Sequence, residues 1–231
     1  MSAMLQKITV HGSILILILT LTACGSSKDE LEFTQLIQNL SKQVISKPDT
    51  SASQGAVMQI TRAQVDAFPQ SLIRVRIEGT GAMSTLAEVD RKGIHTTYRT
   101  GDGVALMFRA GVLIGTRGLG QDLMALSAPD LSHAVTKGES TRRYRYLDGD
   151  EQLVDVVLRC RVASAPHGPL VILGRSYRVN RVSEHCANAE NTLSFENFYW
   201  VESATGHIRQ SRQYISPKFQ RAEIEVLKII N

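Results

Sequence analysis

The sequence predicts a mainly β protein, with antiparallel sheets curled into a sandwich or a partial barrel. Three observations carry this. Beyond residue 70, hydrophobicity alternates with a period of two, as in Ile73-Arg74-Val75-Arg76-Ile77, where one face is buried and the other wet. The alternating runs are bounded by turn signals such as Gly101-Asp102-Gly103 and Asp148-Gly149-Asp150. About ten such runs follow one another across short connections, which favours hairpins over crossovers.

Before the strands come three different segments. Residues 1–23 have a short n-region with Lys7, an apolar run through Ile14 to Leu19 and small residues up to Ala23, the order of a secretory signal. The apolar stretch is shorter than the roughly 20 residues that cross a bilayer as a helix. Leu21-Thr22-Ala23-Cys24 resembles the lipobox of bacterial lipoproteins. That resemblance implies cleavage before Cys24, a diacylglycerol on its thiol and a further acyl group such as palmitate on its amine. Two acyl chains suffice for stable anchoring. Gly25 rather than Asp follows the cysteine, which favours the outer membrane, with the protein facing the periplasm. The alternative is a soluble periplasmic protein cut near Ala23 with an incidental cysteine. Residues 24–32 form a polar tether, and 33–231 a single β-rich domain. That domain opens with Phe33, Leu36, Ile37, Leu40 and Val44 at helical spacing, an amphipathic helix expected to pack on the body. Pro48 to Gly55 is a polar loop.

The strands then read in order as Ile73–Ile77, Thr80–Val89, Ile94–Thr100, Val104–Phe108 and Val112–Thr116, a meander. The glycines of Gly115 to Gly120 have the wrong spacing for a nucleotide-binding loop, so this stretch is a backbone turn. Short helices are expected at Asp122–Leu126 and Asp130–Val135, around Pro129. Thr141–Tyr146 and Gln152–Ala163 flank the Asp148-Gly149-Asp150 hairpin turn, and Pro166 to Pro169 breaks the chain. Val171–Val179, then Arg181–Cys186 leading into a loop, Phe195–Glu202, His207–Ile215 and Glu223–Ile230 complete the domain.

Removing the leader takes the formal charge from +4 to +3, too mild a balance to define a partner. An exported chain sees little ATP or nucleic acid, so no nucleic-acid partner is expected. Cys160 and Cys186 are the two cysteines besides Cys24, and the periplasm is oxidising. A disulfide between them would contribute roughly 3.5 kcal/mol by the chain-entropy model. The alternative is a pair of buried free thiols. Their spacing matches no zinc site, and no metal or cofactor is expected.

No catalytic motif of the GxSxG, HExxH or SxxK kind is present, and His95, His133, His167, His185 and His207 stand in no recognisable setting. Asp148, Asp150, Glu151 and Asp155 are close in sequence but cluster at a turn, where solvated acids are the ordinary explanation. No catalytic residue is assigned. Arg142, Tyr144 and Arg145 lie on one basic, aromatic-interleaved strand; Arg175 and Arg178 lie on a second; Trp200 stands among Phe195, Phe198 and Tyr199. These residues are the candidate contacts for an acidic polysaccharide or a partner protein, weighed against two ordinary strands with solvated faces and an aromatic core.

The stretches Asn197 to Glu202, Thr205 to Pro217 and Glu223 to Lys228, together with Gly111 to Leu123, resemble the corresponding parts of the YjbF/GfcB-type lipoproteins, encoded with exopolysaccharide and group 4 capsule genes. The resemblance implies a mostly β outer-membrane lipoprotein that assists polysaccharide assembly or export without catalysis, alongside other export proteins. It supplies no catalytic residues. Two other classes are carried beside it: a periplasmic lipid or lipoprotein carrier whose curled sheet encloses an apolar cavity, and a polysaccharide-modifying enzyme built on paired carboxylates.

Overall fold

A computed structural model describes residues 60–147 and 152–230. The leader, Cys24, the tether, the amphipathic helix from Phe33 and the Asp148 to Asp150 turn lie outside the described residues.

Twelve strands form one antiparallel sheet: β1 (Leu72–Ile77), β2 (Met83–Lys92), β3 (His95–Arg99), β4 (Ala105–Arg109), β5 (Val112–Arg117), β6 (Leu123–Ser127), β7 (Glu139–Leu147), β8 (Leu153–Ile172), β9 (Arg175–Ala187), β10 (Ser194–Glu202), β11 (Ile208–Ser216) and β12 (Gln220–Lys228). The spatial order is β5-β4-β3-β2-β1-β12-β11-β10-β9-β8-β7-β6. Each strand therefore pairs with its neighbours in sequence, and β12 pairs with β1, with Ile73 opposite Val226 and Val75 opposite Ile224. The result is an up-and-down meander bent into a nearly closed barrel whose seam lies between β5 and β6. Of the two architectures the sequence allowed, the partial barrel is the one formed.

Side chains bridge the seam. Thr116 Oγ1 accepts the Leu123 amide at 3.0 Å, and Arg117 Nη1 donates to the carbonyls of Thr116 at 2.6 Å and Leu123 at 3.3 Å. Two edges that would otherwise offer open backbone groups to another chain are thereby occupied.

Alternation decides what points inward. Ile73, Val75, Ile77, Leu86, Phe108, Leu158, Val182 and Ile224 are buried in the main core. Leu72, Ala87 and Leu227, of opposite phase, are equally buried because a second, smaller core covers the outer face. It is built by helix α1 (Arg62–Ala67) and the tip of the β8–β9 hairpin, which supplies Ile172. α1 starts on a capping box in which Thr61 and Gln64 satisfy each other's backbone amides. The Arg62 guanidinium donates to the carbonyls of Leu173 at 3.1 Å, Ile172 at 3.0 Å and Leu227 at 2.9 Å, fastening the hairpin tip to β12.

Three expectations are corrected. Asp122–Leu126 is not helical: residues 123–127 are strand β6, and Asp122 accepts from the amides of Gly118 at 2.9 Å and Leu119 at 3.2 Å, tying down the preceding turn instead of capping a helix. Pro166 to Pro169 does not end the strand. β8 runs on to Ile172 through a register shift there, the one kind of interior place where a strand tolerates proline. Val171–Val179 and Arg181–Cys186 do not stand as expected: Val171 and Ile172 end β8, and after a tight turn at Leu173-Gly174 β9 is continuous from Arg175 to Ala187. With β6 added, the described residues form twelve strands rather than about ten. The second expected helix forms as α2 (Leu131–Lys137), closed by Gly138 at φ 72°, a left-handed cap suited to glycine.

Candidate functional site

The cysteines meet. Cys160 and Cys186 face each other in the β8–β9 register and form a disulfide with Cα atoms 4.0 Å apart, both sulfurs in the core. An antiparallel pair places opposite residues this close without any loop rearrangement.

Arg142 and Tyr144 are enclosed within the barrel, with exposures of 2 % and 1 %. No polymer reaches them, and this corrects their assignment to a contact surface. The reason is phase: Arg142, Tyr144 and Tyr146 share one side of β7, and that side is the inner one. Arg142 lies 2.5 Å from Glu184 on β9, itself 1 % exposed, and donates to the Tyr199 hydroxyl at 3.0 Å. Glu184 accepts further from Tyr199 at 3.0 Å, Asn197 at 3.3 Å and Ser140 at 3.3 Å. Burial works against the Arg142 charge, but Tyr199, Tyr144 and Glu184 more than offset it and hold the guanidinium firmly protonated. A buried charge pair persists only with such additional partners. The network ties β7, β9 and β10 together across β8.

The remaining candidates lie on the outside. Arg145 is exposed, yet Asp155 accepts from it at 2.7 and 2.9 Å, and Asp155 also lies 3.3 Å from Arg143. The Arg145 guanidinium holds the Asp155 carboxyl down at about 2, which unsuits it for donating a proton near neutral pH. Arg175 pairs with Asp66 at 3.0 Å. Arg178 is exposed and Trp200 half-buried, its ring 6.1 Å from that of His167 in the β8 bulge.

Around Trp200 the outer face of β8–β10 has a composition that the expected set only partly captured. Register places Arg161 beside His185, Ala163 beside Ser183 and Ala165 beside Arg181, and on β10 sets Phe198 beside Ser183 and Trp200 beside Arg181. Small residues thus floor a shallow strip with two aromatic rings on one side, their centroids 6.2 Å apart. Among the described residues, Arg159, Arg161 and Arg178 make no ion pair, and Arg181 only rests 5.6 Å from the Phe198 ring centre. The opposite side of the barrel differs: Arg74 pairs with Glu225, Arg76 with Glu223 at 2.7 Å, and Arg212 and Arg221 with Glu78. Four arginines without an ion pair among the described residues thus lie on β8 and β9.

A protein-family model described as "Group 4 capsule polysaccharide lipoprotein gfcB, YjbF" matches residues 37–227. The chain belongs to this family. Among its relatives, a protein of Escherichia coli K12 described as "Uncharacterized lipoprotein GfcB" is 26 % identical over 171 residues, covering 71 % of this chain and 79 % of that one. The crystal structure of the hypothetical lipoprotein YmcC from Escherichia coli K12 superposes with a TM-score of 0.69 at 20 % identity, over 90 % of this chain and 99 % of that one, so the two share a fold.

Proposed function

We propose that this YjbF/GfcB-family chain is an outer-membrane lipoprotein, held on the periplasmic face by acylated Cys24, that acts without catalysis in the assembly or export of a capsule or exopolysaccharide. The observation that carries the pathway is the family match across residues 37–227. The contact with an acidic polymer is made by the outer face of β8–β10, where Phe198 and Trp200 offer rings for sugars and Arg159, Arg161 and Arg181 offer charge that no ion pair occupies. Arg145 and Arg175 contribute less, because Asp155 and Asp66 already neutralise them.

Salt dependence tests this. With polygalacturonate as the acidic polymer and dextran as the neutral one, the protein should bind the first at low ionic strength and lose it as salt screens the charges. The triple substitution Arg159→Ala, Arg161→Ala, Arg181→Ala should weaken binding and flatten its salt dependence, while Trp200→Ala should weaken it and leave the salt dependence. Binding that ignores all four substitutions removes this face from the account.

A further inference from the structure

The two halves of the barrel interior are filled differently. On the β7–β10 side the ion-pair network and the stacked rings of Phe195 and Tyr214, 4.0 Å apart, occupy the space. On the β1–β4 side a cavity of about 290 Å³ remains, open at one end of the barrel between the β2–β3, β4–β5 and β10–β11 turns. Its walls are Ile73, Thr96, Phe108, Ile208, Ile224 and Val226, drawn from β1, β3, β4, β11 and β12. The curl of the sheet is what brings them together, since β4 and β11 are not neighbours.

Two of the polar groups in the wall are held by hydrogen bonds. Ser211 Oγ accepts from Gln213 Nε2 at 2.9 Å, and the Tyr98 hydroxyl is hydrogen-bonded to Glu88. The buried polar atoms lacking a partner among the described residues belong to Gln70, Arg142 and Tyr214, and none lines this space. A closed apolar cavity of roughly 150 Å³ takes up benzene, and the space of about 290 Å³ here has room for about twice as many carbons. Ile94, 54 % exposed, forms an apolar lip at the entrance; Arg91 on the rim is already neutralised by Glu88 at 2.5 Å.

We infer that this cavity binds one lipid acyl chain. Its open end lets the polar end of the amphiphile stay at the turns, beside Arg91 and His207, while about a dozen carbons fill the interior. The site goes beyond the polymer-facing surface: it is inside the sheet, whereas Trp200 and the unpaired arginines are outside it.

The test uses full-length lipoprotein in nanodiscs, a palmitate analogue with a mid-chain diazirine, irradiation and peptide mapping. The expected result is label on the strands carrying Phe108, Ile208 and Ile224, displaced by excess palmitate and lost in the cavity-filling variants Thr96→Trp and Val226→Trp when these keep the Cys160–Cys186 bridge and wild-type circular dichroism. Label confined to outward-facing residues, label that palmitate does not displace, or cavity label undiminished in a folded filled variant overturns the inference. Should both variants fail to fold, the wild-type map with palmitate competition decides it alone. Failure here leaves the polymer reading standing, because polygalacturonate binding is measured on the other face.

Discussion

The Arg142 guanidinium lies where water is excluded, and what keeps it there is its pairing with Glu184 and Tyr199 through its terminal Nη2. Removing one partner strands the other. Arg142→Met should therefore destabilise the protein by about 3–5 kcal/mol, whereas Arg142→Met with Glu184→Leu should recover most of that loss, because a matched apolar replacement leaves no uncompensated charge. Urea midpoints at constant m would show both. Burial also pushes up Tyr98, to about 12, and raises Tyr144, Tyr146, Tyr199 and Tyr214. In the unfolded chain these phenols ionise near pH 10. Above about pH 10 the unfolded state binds fewer protons than the folded one, so the stability present below that pH falls as pH rises toward the folded values. Absorbance at 295 nm and far-ultraviolet circular dichroism should change together in one steep alkaline transition; phenols titrating near pH 10 with the fold intact would contradict the burial. The position of Arg142 was legible in its phase with Tyr144 and Tyr146, but a cluster of arginines reads as a wet surface until the inner side of β7 is known. Glu184 carried the same signal, lying in phase with Val182 and Cys186.

At the scale of elements, the long β8–β9 hairpin is held at two places. The disulfide fixes its barrel end, and replacing both cysteines by alanine should cost roughly 3.5 kcal/mol, seen as a lower thermal midpoint. The Arg62 clasp fixes its tip. Arg62→Ala frees three carbonyl acceptors and should cost about 1–3 kcal/mol, with faster amide exchange confined to residues around Ile172, Leu173 and Leu227. Uniform acceleration across the sheet would mean that the tip does not open separately. Most strands were legible because one wet face and one buried face force alternation. β6 was not: five residues beginning after an aspartate resemble a helix start, and only pairing with β7 decides the matter. α1 is six residues long, too short for a periodic signal, and its role depends on a hairpin tip more than a hundred positions away.

For the molecule as a whole, closure of the meander through the β1–β12 pair turns a sheet into a vessel with distinct surfaces: an interior half filled by polar and aromatic groups, an interior half left open, and an exterior on which Arg74, Arg76, Arg212 and Arg221 are paired while Arg159, Arg161 and Arg181 have no ion pair among the described residues. The alternation of Phe198 and Trp200 with Tyr199 made the outward rings readable, but not the charge asymmetry, which depends on which carboxylates fall opposite which arginines across strands distant in sequence. The central claim is that this outer face serves polysaccharide assembly or export. The most direct measurement is the amount of polysaccharide at the surface and in the periplasm of cells lacking the protein, given back either the wild type or the chain with Arg159→Ala, Arg161→Ala, Arg181→Ala and Trp200→Ala. The account predicts that surface polymer falls without the protein, returns with the wild type and stays low with the variant at equal protein level; unchanged surface and periplasmic pools in the absence of the protein, under conditions where the polymer is made, would contradict it.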